Sequence, residues 1–171
     1  TFVEPSNTSG AATDDLATLG SGTKRFRDLF LSGGVYLGGT TSANHLDDYE
    51  EGTWTPTMFA ATTGTNRAST VTAAKYTKIG RFVRLTAYLS VIDGTQLRAD
   101  SGDIKVGGIP FSATNYGHLF TLYSNLSSSV ITGIFSGTSC TLRKSNGQTA
   151  LSPSDINAGT GNIMVNITLE I

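Results

Sequence analysis

Phe82-Val83-Arg84-Leu85-Thr86-Ala87-Tyr88-Leu89-Ser90-Val91-Ile92 is the stretch that decides the fold class. Val83, Leu85, Ala87, Leu89 and Val91 fall on one face; Phe82, Arg84, Thr86, Tyr88 and Ser90 fall on the other. Successive side chains of a pleated strand point to opposite sides, so this alternation predicts a strand with one apolar and one mixed face. Asp93-Gly94 follows as a turn signal. The final run repeats the pattern: Ile163, Val165, Ile167, Leu169 and Ile171 share a face against Met164, Asn166, Thr168 and Glu170. A strand reaching the last residue suggests a chain end locked into a sheet.

Further strands are expected at Thr53–Phe59, Thr70–Lys78, Asp103–Val106, Gly117–Tyr123, Val130–Phe135 and Thr138–Arg143. Ser136-Gly137 reads as a two-residue hairpin loop and Asn146-Gly147 as another turn. Composition agrees. Of 171 residues, 26 are Thr, 18 Ser and 20 Gly, while 15% are charged, against roughly 25% in a typical soluble domain. Thr packs well on pleated strands, and Gly and Ser supply turns. The best helix candidate is a stub over Thr13–Leu19 ending at Gly20. About eight short antiparallel strands predict an all-β sandwich of jelly-roll type, with the two inner faces forming the core.

Residues 1–45 differ from the rest. Phe26, Leu29-Phe30-Leu31 and Val35-Tyr36-Leu37 are short apolar pieces punctuated by Gly33-Gly34 and Gly38-Gly39. They are too few for a core and too apolar for a free linker. Two arrangements would hide them: pairing with identical copies as a stalk, which we favour, or a strap over the following domain. Residues 46–171 read as one head domain. The chain starts at Thr1 rather than Met, which suggests a piece of a longer polypeptide.

Several function classes are disfavoured. The net charge is −1, and the one basic cluster, Lys24-Arg25-Phe26-Arg27, is more simply a solvated strand face than a phosphate clamp, so no nucleic acid is expected. No apolar run is long enough to span a bilayer as a helix. Cys140 is the only cysteine, which excludes an intrachain disulfide and a Cys-based zinc site. His45 and His118 are the only histidines; neither sits in a Ser-His-Asp context, and no Gly-x-Ser-x-Gly elbow is present. Gly102 to Gly108 lacks the Gly-Lys-Ser/Thr of a phosphate loop. The carboxylates Asp47, Asp48, Glu50 and Glu51 admit three readings: a solvated turn joining stalk to head, a calcium site lacking the usual loop spacing, or a glycosidase pair. The first is preferred. No cofactor, no metal and no complete enzyme site are expected.

Leu46-Asp47-Asp48-Tyr49-Glu50-Glu51-Gly52-Thr53-Trp54-Thr55-Pro56 closely resembles a junction segment of bacteriophage tail fibre and tailspike proteins. Upstream, Gly22 to Thr40 is similar to their shaft-to-head sequence. Downstream, Tyr76-Thr77-Lys78-Ile79-Gly80-Arg81-Phe82-Val83 and Gly108-Ile109-Pro110-Phe111 are similar to parts of their terminal head. The likeness covers roughly residues 20–111. It implies a homotrimer on the virion tail, attached to the remainder of the tail and facing outward. Its β-sandwich head would meet a host surface, commonly polysaccharide. Many such fibres carry a self-cleaving chaperone after the head, which this chain does not show, and their depolymerases usually keep catalysis in a β-helix not present here. The resemblance makes Asp47, Asp48, Tyr49, Glu50, Glu51, Trp54 and Pro56 the stalk-to-head joint. Sugar recognition needs rings and planar polar groups on loops, so Arg98, Asp100, Asn115, Tyr116 and His118 are candidate receptor contacts. Ordinary packing at a strand end is the simpler role for Tyr116. A purely structural trimerisation or capping module is the alternative, and a glycan-degrading enzyme, which would draw on carboxylates such as Asp100 and Asp103, the less favoured one.

Overall fold

A computed structural model describes residues 4–14, 18–113, 117–127, 131–144 and 149–171. The chain divides into two compact units, Thr1–Val35 and Tyr36–Ile171. In the first, local turns dominate. The Asn7 side chain accepts the N–H groups of Ser9 and Ala11 at 3.0 and 3.1 Å, and the Ser21 hydroxyl accepts Lys24 N–H at 3.1 Å. Phe26, Leu29, Phe30 and Leu31 are all exposed, Phe30 by 91%. The helical stub considered over Thr13–Leu19 falls partly outside the described residues.

In chain order the strands are β1 (Val35–Tyr36), β2 (His45–Leu46), β3 (Tyr49–Thr53), β4 (Thr57–Ala60), β5 (Ala68–Ile79), β6 (Phe82–Asp93), β7 (Ile104–Gly107), β8 (His118–Ser124), β9 (Ile131–Ser136), β10 (Ser139–Lys144) and β11 (Thr160–Glu170). One helix, α1 (Gly94–Ala99), lies between β6 and β7. A five-stranded sheet, β3-β5-β6-β11-β8, packs on a four-stranded one, β4-β7-β10-β9, and every described pairing in them is antiparallel. The chain changes sheet at most steps between β3 and β11, as a jelly-roll-like sandwich requires.

The core is shared by both sheets. Val83, Leu85 and Leu89 of β6 and Ile163, Val165 and Ile167 of β11 are fully buried against Met58, Ile104, Val106 and Leu142 of the other sheet. Burying each such side chain contributes roughly 1.5–3 kcal/mol, which is why the alternation fixes the register. Cys140 of β10 is also buried, and the thiol pKa is pushed up to about 12 by burial. A Cβ on Gly133, opposite Leu142 on the neighbouring strand, would stand 2.3 Å from the Cys140 Sγ, so the glycine makes room for the sulfur.

The structure revises several expectations. The strand expected over Thr53–Phe59 is two strands in different sheets, with Trp54-Thr55-Pro56 as the crossing. Pro56 has no N–H for a ladder, and Trp54 turns inward, where its indole Nε1 donates to Thr86 C=O at 3.0 Å. Asp93-Gly94 does not close a hairpin: Asp93 caps α1, its Oδ1 accepting Gln96 N–H at 3.0 Å. Val91 leaves the apolar face. Its φ is +53°, the pairing of β6 with β11 shifts between Gly161 and Ile163, and Ile92 takes the inward position. The hairpin between β9 and β10 turns on Gly137-Thr138, one residue later than expected, because Gly137 accepts the positive φ of +58°. The turn expected at Asn146-Gly147 lies outside the described residues.

Two measurements check this account. Trp54→Ala should cost roughly 3–5 kcal/mol in denaturant unfolding, since it opens a cavity and strands the Thr86 carbonyl. Asp155 receives a 2.8 Å contact from Lys144 Nζ and hydrogen bonds from the Ser152 N–H and hydroxyl, which hold its carboxyl down at about 2. A lowered folded-state pKa stabilises above the ordinary carboxylate range and is lost as pH falls through it. The unfolding midpoint should therefore fall between pH 4 and pH 2 more steeply for the parent chain than for Asp155→Asn.

Candidate functional site

The β5–β6 hairpin gives the sandwich two ends. Gly80, in its turn, donates its N–H to Asp48 C=O at 2.7 Å, so the chain reaches β3 at the turn end. At the other end Ala68 faces Ile92 and Thr160 faces Asp93. Eleven strand steps separate them, roughly 35 Å at about 3.3 Å per residue.

An open groove of about 500 Å³ occupies this far end, lined by Asn66, Arg67, Ser69, Val91, Asp93, Thr95, Gly159 and Thr160 among others. Local chemistry explains each wall. The Asn66 carboxamide accepts Met58 N–H at 3.0 Å and Ala68 N–H at 3.1 Å, tying the loop before β5 to β4. Arg67 donates from Nε and Nη2 to the two oxygens of Asp100 at 2.8 and 2.7 Å. The Asp100 side chain is only 6% exposed, and the guanidinium holds its carboxyl below the usual range while the carboxylate raises Arg67 in turn. Gly94 donates to Gly159 C=O at 2.8 Å, and a Cβ there would meet Asn157 C=O at 2.3 Å. Thr95 Oγ1 accepts Gly159 N–H at 3.1 Å.

Val91 sits half-exposed on the groove wall. A β-branched residue at positive φ is an energetic outlier. Two bonds hold it there: Asn162 Oδ1 accepts its N–H at 3.3 Å, and its C=O accepts the Ser69 hydroxyl at 3.0 Å. The groove thus presents hydroxyls from Ser69, Thr95 and Thr160, an amide, a carboxylate and a guanidinium beside an apolar methyl pair.

The receptor-contact candidates separate. Arg98 and Asp100 lie at the far end, in α1 and at its C-terminal cap rather than on a loop, and both are engaged internally: Arg98 Nη1 donates to Ile156 C=O at 2.6 Å. His118 opens β8 opposite Thr168, toward the turn end, and is exposed. Asn115 and Tyr116 lie outside the described residues.

The acidic junction faces solvent as expected, but only Asp47-Asp48 lies outside a strand. Tyr49–Thr53 is an edge strand along β5, and the carboxylates have neighbours. His45 Nδ1 lies 3.4 Å from Asp47, and the His45 ring stacks on Tyr36 at 4.5 Å. Lys78 pairs with Asp48, the Tyr76 hydroxyl donates to Glu50, and the Tyr49 hydroxyl donates to Glu51; these two bonds raise both phenols. Tyr76 also meets Phe111 edge-on at 5.1 Å, and a Cβ on Gly52 would collide with the Tyr76 ring at 2.6 Å. Pro56 and Trp54 are buried. Among the described residues no three His, Cys, Asp or Glu side chains gather as a metal site.

Sequence reasoning missed Asn66, Arg67, Ser69, Thr95 and Thr160. The one available signal was Val91-Ile92, two adjacent apolar residues where alternation should continue, which marks a bulge. No protein-family model, curated protein or solved structure matches the chain.

Arg67→Met should leave the Asp100 carboxylate without its partner. NMR titration should then place the Asp100 carboxyl above its parent value, and the urea midpoint at pH 7 should fall; an unchanged titration would show that the pair does not form in solution.

Proposed function

We propose that this chain is the distal part of a homotrimeric bacteriophage tail fibre or tailspike, a virion structural protein that binds host cell-surface glycan during adsorption. The single observation that carries this reading is the polar, bulge-walled groove at the sandwich end opposite the one where the chain arrives. A module presented on a shaft must place recognition at its free end, and hydroxyl-rich ligands are held by side chains of the kinds that line this groove. The junction segment's resemblance to that family supports the reading, and the exposed apolar side chains of Phe26, Leu29, Phe30 and Leu31 favour burial against further copies. In this reading the protein acts outside the cell, on the virion, with no catalytic step, and its partners are two copies of itself, the rest of the tail and the surface polysaccharide.

A purely structural capping module is the second reading. It is favoured by the internal engagement of Arg98, Asp100 and the junction carboxylates, which leaves those residues holding the fold rather than a ligand.

Thr160→Trp separates the two, because a bulky ring at an exposed groove position fills the cleft without touching the core. On immobilised bacterial lipopolysaccharides and capsular polysaccharides, the parent chain should bind at least one. The variant should bind it ten-fold or more weakly with unchanged thermal stability. Parent protein that binds none of the panel and does not block phage adsorption would leave the structural reading standing instead.

A further inference from the structure

Across the four strands β3, β5, β6 and β11, Tyr49 faces Ile79, Ile79 faces Phe82, and Phe82 faces Glu170. Residues directly opposite one another share a sheet face. Val83 and Leu169, the adjacent residues, are buried in the core, so this row projects from the outer face of the five-stranded sheet. Its apolar members are open to water: Tyr49 by 61%, Ile79 by 48% and Phe82 by 49%. The row lies at the turn end of the β5–β6 hairpin, away from the groove.

We infer that this outer face, centred on Ile79 and Phe82, is covered by a second copy of the same chain. Charge and area both argue for a copy. Behind the apolar row the same face carries Glu51 and Arg84, with Lys75 one row on and Glu170 beside Phe82, all exposed. None of the four takes part in an ion pair among the described residues. Two carboxylates and two cations on one surface are self-complementary: Arg84 or Lys75 of one copy can meet Glu51 or Glu170 of the next, whereas a strongly charged foreign partner would find no matching field. A five-stranded face with central strands of eleven or twelve residues offers on the order of 800 Å² per copy, the size a stable interface needs. A flush apolar row next to an edge strand, β3, whose outer side has no strand partner among the described residues, also needs a cover to keep it from indiscriminate pairing.

This inference rests on the oligomeric reading above, and the experiment tells their failures apart. The full chain, Ile79→Glu/Phe82→Glu and Arg84→Glu would be examined by sedimentation equilibrium over a micromolar dilution series, with circular dichroism to verify folding. The parent should be an oligomer. The double variant, and to a lesser degree Arg84→Glu, should dissociate at least ten-fold more readily on dilution while keeping the parent spectrum. Should the double variant misfold, Arg84→Glu carries the test, because Arg84 is exposed and its one side-chain bond among the described residues is a long 3.4 Å contact to Asn166. Combining Arg84→Glu with Glu170→Arg in one chain should restore association, because the swap then rebuilds every copy-to-copy contact whatever the symmetry. Folded variants that dissociate as the parent does would overturn the assignment of this face and leave the oligomer intact. A monomeric parent would overturn both.

Discussion

β6 and β11 lie side by side at the centre of the larger sheet and turn their even-spaced aliphatic residues the same way. Everything else follows from that shared wall of Val83, Leu85, Leu89, Ile163, Val165 and Ile167. A sheet so one-sided cannot stay open to water, so a second layer must cover it, and β4, β7, β10 and β9 supply that layer with side chains of matching size. The crossing at Trp54 is where the chain first commits to the second layer. Its indole bonds the Thr86 carbonyl of β6, tying the crossover to the strand that organises the sheet.

Much of this architecture was legible because hydrophobic periodicity is a local signal. The long strands stood out over most of their length, since each carries several turns of the alternation, while their ends and the bulge at Val91 did not. The splitting of Thr53–Phe59 was not legible, because a crossover between sheets keeps the extended backbone and the apolar residues of a strand and changes only its partners. The helix at Gly94–Ala99 was hidden for another reason: Asp-Gly serves a hairpin turn and a helix cap with similar ease, and the choice is made by Gly159 and Asn157, more than sixty residues away. The groove was nearly invisible. Its walls come from the loop before β5, the bulge of β6, the start of α1 and the approach to β11, and no spacing rule links those four places. The junction carboxylates illustrate the converse. Their residue types invited functional readings, while the fold gives each a neighbour: His45 for Asp47, Lys78 for Asp48, Tyr76 for Glu50 and Tyr49 for Glu51.

The two ends of the sandwich differ in chemistry. Around the hairpin turn are aromatic rings, aliphatic side chains and matched charges, a surface suited to contact with protein. Around the bulge are hydroxyls, a carboxamide and a fixed ion pair. Between them the β5–β6 ladder acts as a spacer, and its bulges, at Ala73 in β5 and Val91 in β6, are places where the backbone takes a positive φ at a non-glycine residue. Both lie on the exposed side of the structure, where a bent strand can re-aim side chains without opening the core.

The lone sulfur of Cys140 carries a quieter consequence. Sealed between layers, with Gly133 pressed against it and ionisation suppressed, it is unavailable as a nucleophile. Buried and held protonated, this thiol is poorly placed to join copies of the folded chain through an intermolecular disulfide. Protection of this kind comes from where the sulfur sits in the core.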